Sequence, residues 1–217
     1  MSTTLNELER VAEALRANNM NATCVAKREE VAPLIRQLLT VGDTVAVGGS
    51  VTLDETGVLD LLRNGDYRFL DRYAPNLTPE QVDAVLHDAL CADVFLCSSN
   101  AVTEKGELYN VDGRANRVAP LAYGPKSVIV VVGCNKIVPD LTAAVRRVKT
   151  VAAPLNAKRI GCKTYCAAYG ICKAADAPDM TDGCTSPDRI CAQYLISGRQ
   201  RIAGRIHVIL VGEPLGY

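Results

Sequence analysis

Five of the chain's nine cysteines, Cys162, Cys166, Cys172, Cys184 and Cys191, crowd into residues 161–191. Thiolates concentrated in this way ligate soft metals or carry out thiol redox chemistry. The start, "MSTTLNELERVAEALRANN", has acids in its first turns and no unbroken apolar run, so it reads as neither an export signal nor a membrane anchor. The expected compartment is the cytoplasm, where thiols stay reduced, and an odd cysteine count sits poorly with a complete disulfide framework. Iron–sulfur and zinc chemistry are both open to a reduced cysteine loop. Cys24, Cys91, Cys97 and Cys134 lie in or beside apolar runs and read as small buried hydrophobes.

A second constellation is spread over loops that follow apolar runs. "VAVGGSVTLDE" places Gly48, Gly49 and Ser50 between a strand and a helix, with Thr52 as the expected cap and Glu55 reaching back to it. Glycines and a helix start let amides approach an anion, although a tight turn would use the same residues. Neither GxGxxG nor a Walker lysine is present, so no nucleotide is implied. "CSSNAVTEKGELYNVDGRANRVAP" (97–120) adds Asn100, Glu104, Asn110, Asp112, Asn116 and Arg117, and "VVVGCNKIV" adds Asn135 and Lys136. Glu104 and Asp112 are the candidate acid or base. Arg117 and Lys136 are suited to a carboxylate or phosphate. Singly these are turn residues of a β-hairpin, but together they exceed what turning a chain requires. His87 and His207 fall within a helix and a strand, and no Ser-His-Asp or Cys-His arrangement follows from spacing.

Positioning such loops requires a sheet. With 217 residues, 48% of them apolar, the chain can bury a proper core. Lys plus Arg balances Asp plus Glu at 24 each, so no global charge steers it to nucleic acid or anionic lipid. Helices are expected over 4–17, 27–42, 52–65, 78–90 (Thr78 cap, Pro79 first, Gln81 third) and 140–157. Strands are expected over 22–26, 43–48, 67–73, 92–99, 126–133 and 206–213. This alternation predicts one domain over 1–217, a three-layer Rossmann-like α/β fold with a mostly parallel sheet. The cysteine segment 161–191 is then an insertion ahead of the last strand. In such sheets ligands sit at the carboxyl ends of strands, so the polar loops are expected to share one pocket for a small anionic ligand.

"GGSVTLDETGVLDLL", "NAVTEKGELYNVDGRANRVA", "YGPKSVIVVVGCNKIV", "SPDRIC" and "IHVILVGEPLGY" resemble, in one order, the LUD domain, named for lactate utilisation. The resemblance implies a fold like that of sugar-phosphate isomerases and CoA-transferases. It also implies a role in oxidising lactate or a related 2-hydroxy acid, beside iron–sulfur or flavin oxidoreductase subunits or as a homo-oligomer. One branch of the family carries C-x5-C-x2-C-x6-C ending in "SPxRIC". Cys166, Cys172, Cys184 and Cys191 match it in order, except that eleven residues stand in the middle gap and Cys162 has no place. None of these gaps is the short knuckle of a structural zinc site, whereas Cys162 to Cys166 is. A cube with diverging corners tolerates irregular spacing better. The expected cofactor is therefore a [4Fe–4S] cluster acting in electron transfer. A structural zinc site in a carboxylate- or phosphate-binding protein, or an isomerase- or transferase-like enzyme, is the alternative. Turns near Gly170, Gly183 and Ser186, together with Arg189, are the groups expected to offset the charge of the sulfurs.

Overall fold

A valine-rich strand without polar alternation needs cover on both faces. The computed structural model, which describes residues 5–217, provides it. Residues 1–4, part of the expected domain and of the start of the first helix, lie outside the described residues. The chain runs α1 (Leu5–Ala17), β1 (Asn21–Val25), α2 (Val31–Leu38), β2 (Thr44–Val47), α3 (Val51–Glu55), α4 (Val58–Asn64), β3 (Arg68–Leu70), α5 (Pro79–Asp88) and β4 (Val94–Cys97). It continues through β5 (Ala101–Thr103), β6 (Leu108–Asp112), α6 (Val118–Ala122), β7 (Ser127–Gly133), β8 (Ile137–Val138), α7 (Leu141–Arg147), α8 (Ala153–Arg159), α9 (Tyr165–Tyr169), β9 (Gln193–Ser197) and β10 (Ile206–Val211).

Six strands form one sheet in the order β1-β10-β7-β4-β2-β3, with every pairing parallel. Successive side chains of a strand point to opposite faces. Accordingly Val128, Val130 and Val132 pack with Leu8, Val11 and Leu15 of α1, while Ile129 and Val131 pack with Ile35, Leu53 and Leu62 on the other side. Full burial of each such side chain contributes about 1.5–3 kcal/mol. This is the expected three-layer α/β fold. Among the described residues no helix is long and apolar enough to cross a membrane.

Beyond the short unexpected helices α6 and α9, the structure departs from the expected elements in four places. A second sheet, β8-β5-β6-β9, is built on the 97–120 segment, whose β5–β6 hairpin pairs with β9 on its other edge. The cysteine segment therefore returns through β9 before the last strand. Second, Ser50 rather than Thr52 caps α3, its Oγ accepting from the Leu53 N–H at 3.2 Å. Third, the helix expected over 52–65 breaks at Gly57, which takes φ +67° in the left-handed region. Fourth, between α7 and α8 the helix widens into a π turn over Val148–Ala152, the Ala153 N–H reaching back to the Val148 carbonyl. The Thr78 capping box forms as expected: Thr78 Oγ1 accepts from the Gln81 N–H, and Gln81 Oε1 accepts from the Thr78 N–H at 2.8 Å.

Losing either cap leaves a helix-start amide without its partner. Ser50→Ala and Thr78→Ala are each expected to lower stability by about 1 kcal/mol, read as a lower urea midpoint at unchanged slope.

Candidate functional site

The strand order reverses direction between β2 and β4, and that switch point is where open α/β sheets hold ligands. A cleft of about 330 Å³ lies there. Gly49 and Ser50 follow β2, Arg72 follows β3, Ser98 and Ser99 follow β4, and Lys136 follows β7; all of them line it. Five cationic side chains (Arg72, Arg114, Arg117, Lys136 and Arg159) face a single carboxylate, Asp112. The side chains lining the cleft thus carry an excess of positive charge.

Arg117 is 7% exposed and organises the cleft floor. Its Nη1 donates to the Ser98 carbonyl at 3.0 Å and to Asn110 Oδ1. Its Nη2 donates to Asn100 Oδ1 (2.7 Å), the Val111 carbonyl (3.0 Å) and Asp112 Oδ1 (2.8 Å). The other Asp112 oxygen accepts the Arg117 and Val118 N–H groups at 2.9 and 2.8 Å. Asp112 therefore holds Arg117 and the start of α6, its two oxygens accepting three hydrogen bonds in all. Gly48 has to lack a side chain because a Cβ would sit 3.0 Å from Arg117 Cγ and 3.2 Å from Cys97 Cβ.

Lys136 is 2% exposed. Its Nζ donates to Thr52 Oγ1 at 2.8 Å and Ser98 Oγ at 2.9 Å, and among the described residues no carboxylate pairs with it. Burial, reinforced by Arg147 and Arg117, lowers its pKa to about 7. The duty of Thr52 is thus to Lys136 rather than to the helix start. Gly216, at φ +52°, closes this corner, where a Cβ would lie 2.7 Å from Thr52 Oγ1. Arg72 Nη1 is buried with no hydrogen-bond partner, and its side chain borders the cleft.

The remaining expected residues divide. Asn100 and Asn116 line the cleft. Asn110 is wholly buried behind it, its Nδ2 unpartnered. Glu104 does not enter: it is exposed in the β5–β6 turn, where its N–H bonds the Val138 carbonyl. Asn135 is also exposed outside the cleft, where it accepts from the Leu215 N–H and donates to the Gly216 carbonyl. Ser98, Arg72 and Arg159 were not among the expected site residues. Ser98 had a legible signal, being the first hydroxyl past a buried strand.

All nine cysteines are free. Cys166, Cys172, Cys184 and Cys191 line one small cavity of about 20 Å³; Cys162 does not. Among the described residues no three His, Cys, Asp or Glu side chains are grouped closely enough to hold a metal ion. The donor set is of the kind that iron or zinc takes, but its sulfurs are not drawn together around one point. Lys149, 6% exposed on the π turn, lines the same cavity and donates to the Asp179 carbonyl at 2.9 Å. It is a buried cation that the sequence reading did not identify. Arg189 donates to the Cys184 and Cys191 carbonyls at 3.1 and 2.9 Å, and the Ala174 N–H points to Cys172 Sγ at 3.4 Å. Cys191, Val148 and Ala153 border both the cavity and the cleft, so one wall separates the two. Of the cysteines read as buried hydrophobes, Cys97 is buried and Cys24 and Cys134 half-buried, but Cys91 is exposed, standing in the short 3-10 turn before β4.

The sequence profile of the LUD domain matches residues 8–211. This chain belongs to the LUD domain family. Membership makes the LUD protein a lactate-utilisation-related one. A DUF162 family protein from Deinococcus radiodurans, solved by crystallography, is 17% identical with a TM-score of 0.52, covering 95% of this chain and 96% of that one, and shares the fold. The eIF2B beta structure from Chaetomium thermophilum is 19% identical over 52% of this chain and 43% of its own, at a TM-score of 0.35. No curated protein matches the chain.

Breaking the buried Arg117–Asp112 pair strands a guanidinium. Asp112→Ala in the LUD domain is expected to cost about 3–5 kcal/mol, measured by urea unfolding, far more than an exposed aspartate substitution.

Proposed function

We propose that this LUD domain is a redox component in the use of lactate or a related 2-hydroxy acid. In this reading the cleft holds the small carboxylate, while Cys166, Cys172, Cys184 and Cys191 hold a [4Fe–4S] cluster behind the shared wall, placing the chain in the four-cysteine branch of the family. One observation carries the reading: four free thiols line a single cavity whose wall, through Cys191, is also the wall of a cationic cleft. When bound, such a cluster takes up and returns one electron at a time. The chain's own residues bind and neutralise. Among the described residues Lys136 and Arg72 have no carboxylate partner, and they are the groups that meet the substrate's charge. Burial strengthens those contacts by excluding water. Lys149, with amides such as that of Ala174, offsets the charge of the thiolates. Cys172 and Cys184 also line an open groove on the far side, where an iron–sulfur or flavin subunit would approach the centre.

A second reading is favoured by size. About 20 Å³ takes about one water-sized body. A single zinc on the same four thiols, stapling the loop of a carboxylate-binding protein, would need less displacement of that outer wall than a cube.

Protein purified without oxygen is expected to contain iron and acid-labile sulfide and to bleach on reduction. Zinc without iron would remove the electron-carrier reading and leave the staple. Cys166→Ser is expected to lose the metal and Cys162→Ser to keep it, by elemental analysis; the reverse would shift the ligand set by one cysteine. For the cleft, Arg72→Ala is expected to weaken lactate binding by about tenfold in calorimetry, while Glu104→Gln leaves it unchanged.

A further inference from the structure

Lys136 has more chemistry than anion binding requires. A permanent anion receptor is best served by a guanidinium that stays charged, and the cleft already has several. The amine at its floor is different. It is desolvated, bracketed by two hydroxyls, without a carboxylate partner among the described residues, and flanked by one buried and one half-buried guanidinium, the setting in which a lysine becomes a nucleophile. Arg147, held by the Asn135 and Asn100 carbonyls at 3.0 and 2.6 Å, and Arg117 are its cationic neighbours, and Glu55 and Cys97 act against them. No other lysine lines the cleft.

We propose that Lys136 forms an imine with a small 2-oxo acid, the oxidised counterpart of the 2-hydroxy acid assigned to the cleft, and that Thr52 and Ser98 carry the proton traffic. The proposal rests on the carboxylate-binding reading. The Nζ lone pair adds to the C2 carbonyl carbon, and the carbonyl oxygen takes up a proton to give a carbinolamine. Both protons of the neutral amine pass in turn through the bracketing hydroxyls to that oxygen, and the C2–O bond breaks as it departs in one water, leaving C2=N. No electron enters or leaves the system. Cations bordering the cleft, Arg72 foremost, hold the carboxylate so that C2 faces the amine. Such an imine withdraws electrons from C2 and eases loss of a proton from C3, so the site is suited to enamine chemistry on 2-oxo acids.

The test uses the full chain with pyruvate and sodium cyanoborohydride, followed by peptide mass mapping. One carboxyethyl group is expected on the peptide holding Lys136, well above the labelling of exposed lysines. The yield should rise with pH through about 7, because only the neutral amine attacks and protonation removes it below that value. Lys136→Arg, which keeps a cation but no usable amine, is expected to reduce labelling at that peptide to the background of surface lysines, with its circular dichroism unchanged. Mapping of the unaltered chain decides the matter even if the variant fails to fold. Absence of an adduct at Lys136, or labelling spread evenly over surface lysines, overturns the proposal. Calorimetry with lactate, which has no carbonyl at C2, separates the two layers. If lactate binds and pyruvate leaves no adduct, the carboxylate cleft stands and the imine falls; if neither binds, both fall.

Discussion

One buried guanidinium joins the two sheets. Arg117 reaches the Ser98 carbonyl at the end of β4 in the large sheet, and Asn110, Val111 and Asp112 on β6 in the small one. Removing such a charge from water costs several kcal/mol, and only dense hydrogen bonding offsets it. Here carbonyls, amide oxygens and one carboxylate do so. The β5–β6 hairpin is thereby pinned over the switch point, and the cleft is the gap left between the pinned hairpin and the loops after β2, β3 and β7.

Two compartments with a common wall raise an electrostatic problem. Anions placed in both would repel across a few side chains in a medium of low dielectric. The fold places buried cations on each side: Lys136 and Arg117 at the cleft, Lys149 at the thiols. None of the three is a surface charge that salt would readily screen.

What the sequence reveals about this molecule follows the range of the forces involved. The unbroken apolar run of β7, the glycine turn after β2 and the Thr78 capping box are local, and each reads correctly from a few neighbouring residues. The cap of α3 does not. Thr52 with Glu55 fits the local pattern as well as Ser50 does, and what separates them is the arrival of Lys136, 84 residues away, to claim the Thr52 hydroxyl. Glu104 looked like an acid of the site because it follows a buried strand, yet the pairing of β5 with β6 puts it in the turn facing solvent. Strand β9 escaped because its residues are half-exposed and its partner is a hairpin edge rather than the central sheet. Lys149 escaped because a lysine on an amphipathic helix is ordinarily on its wet side.

The widened turn between α7 and α8 works like a gear tooth. Such a turn holds one residue more than ordinary winding needs, and its five residues, Val148–Ala152, face both ways. Val148 and Ala152 line the cleft, and Val148 and Lys149 line the thiol cavity. One short stretch therefore furnishes the lining of two chambers, and a one-residue deletion there would return it to ordinary winding and change which of its side chains meets each.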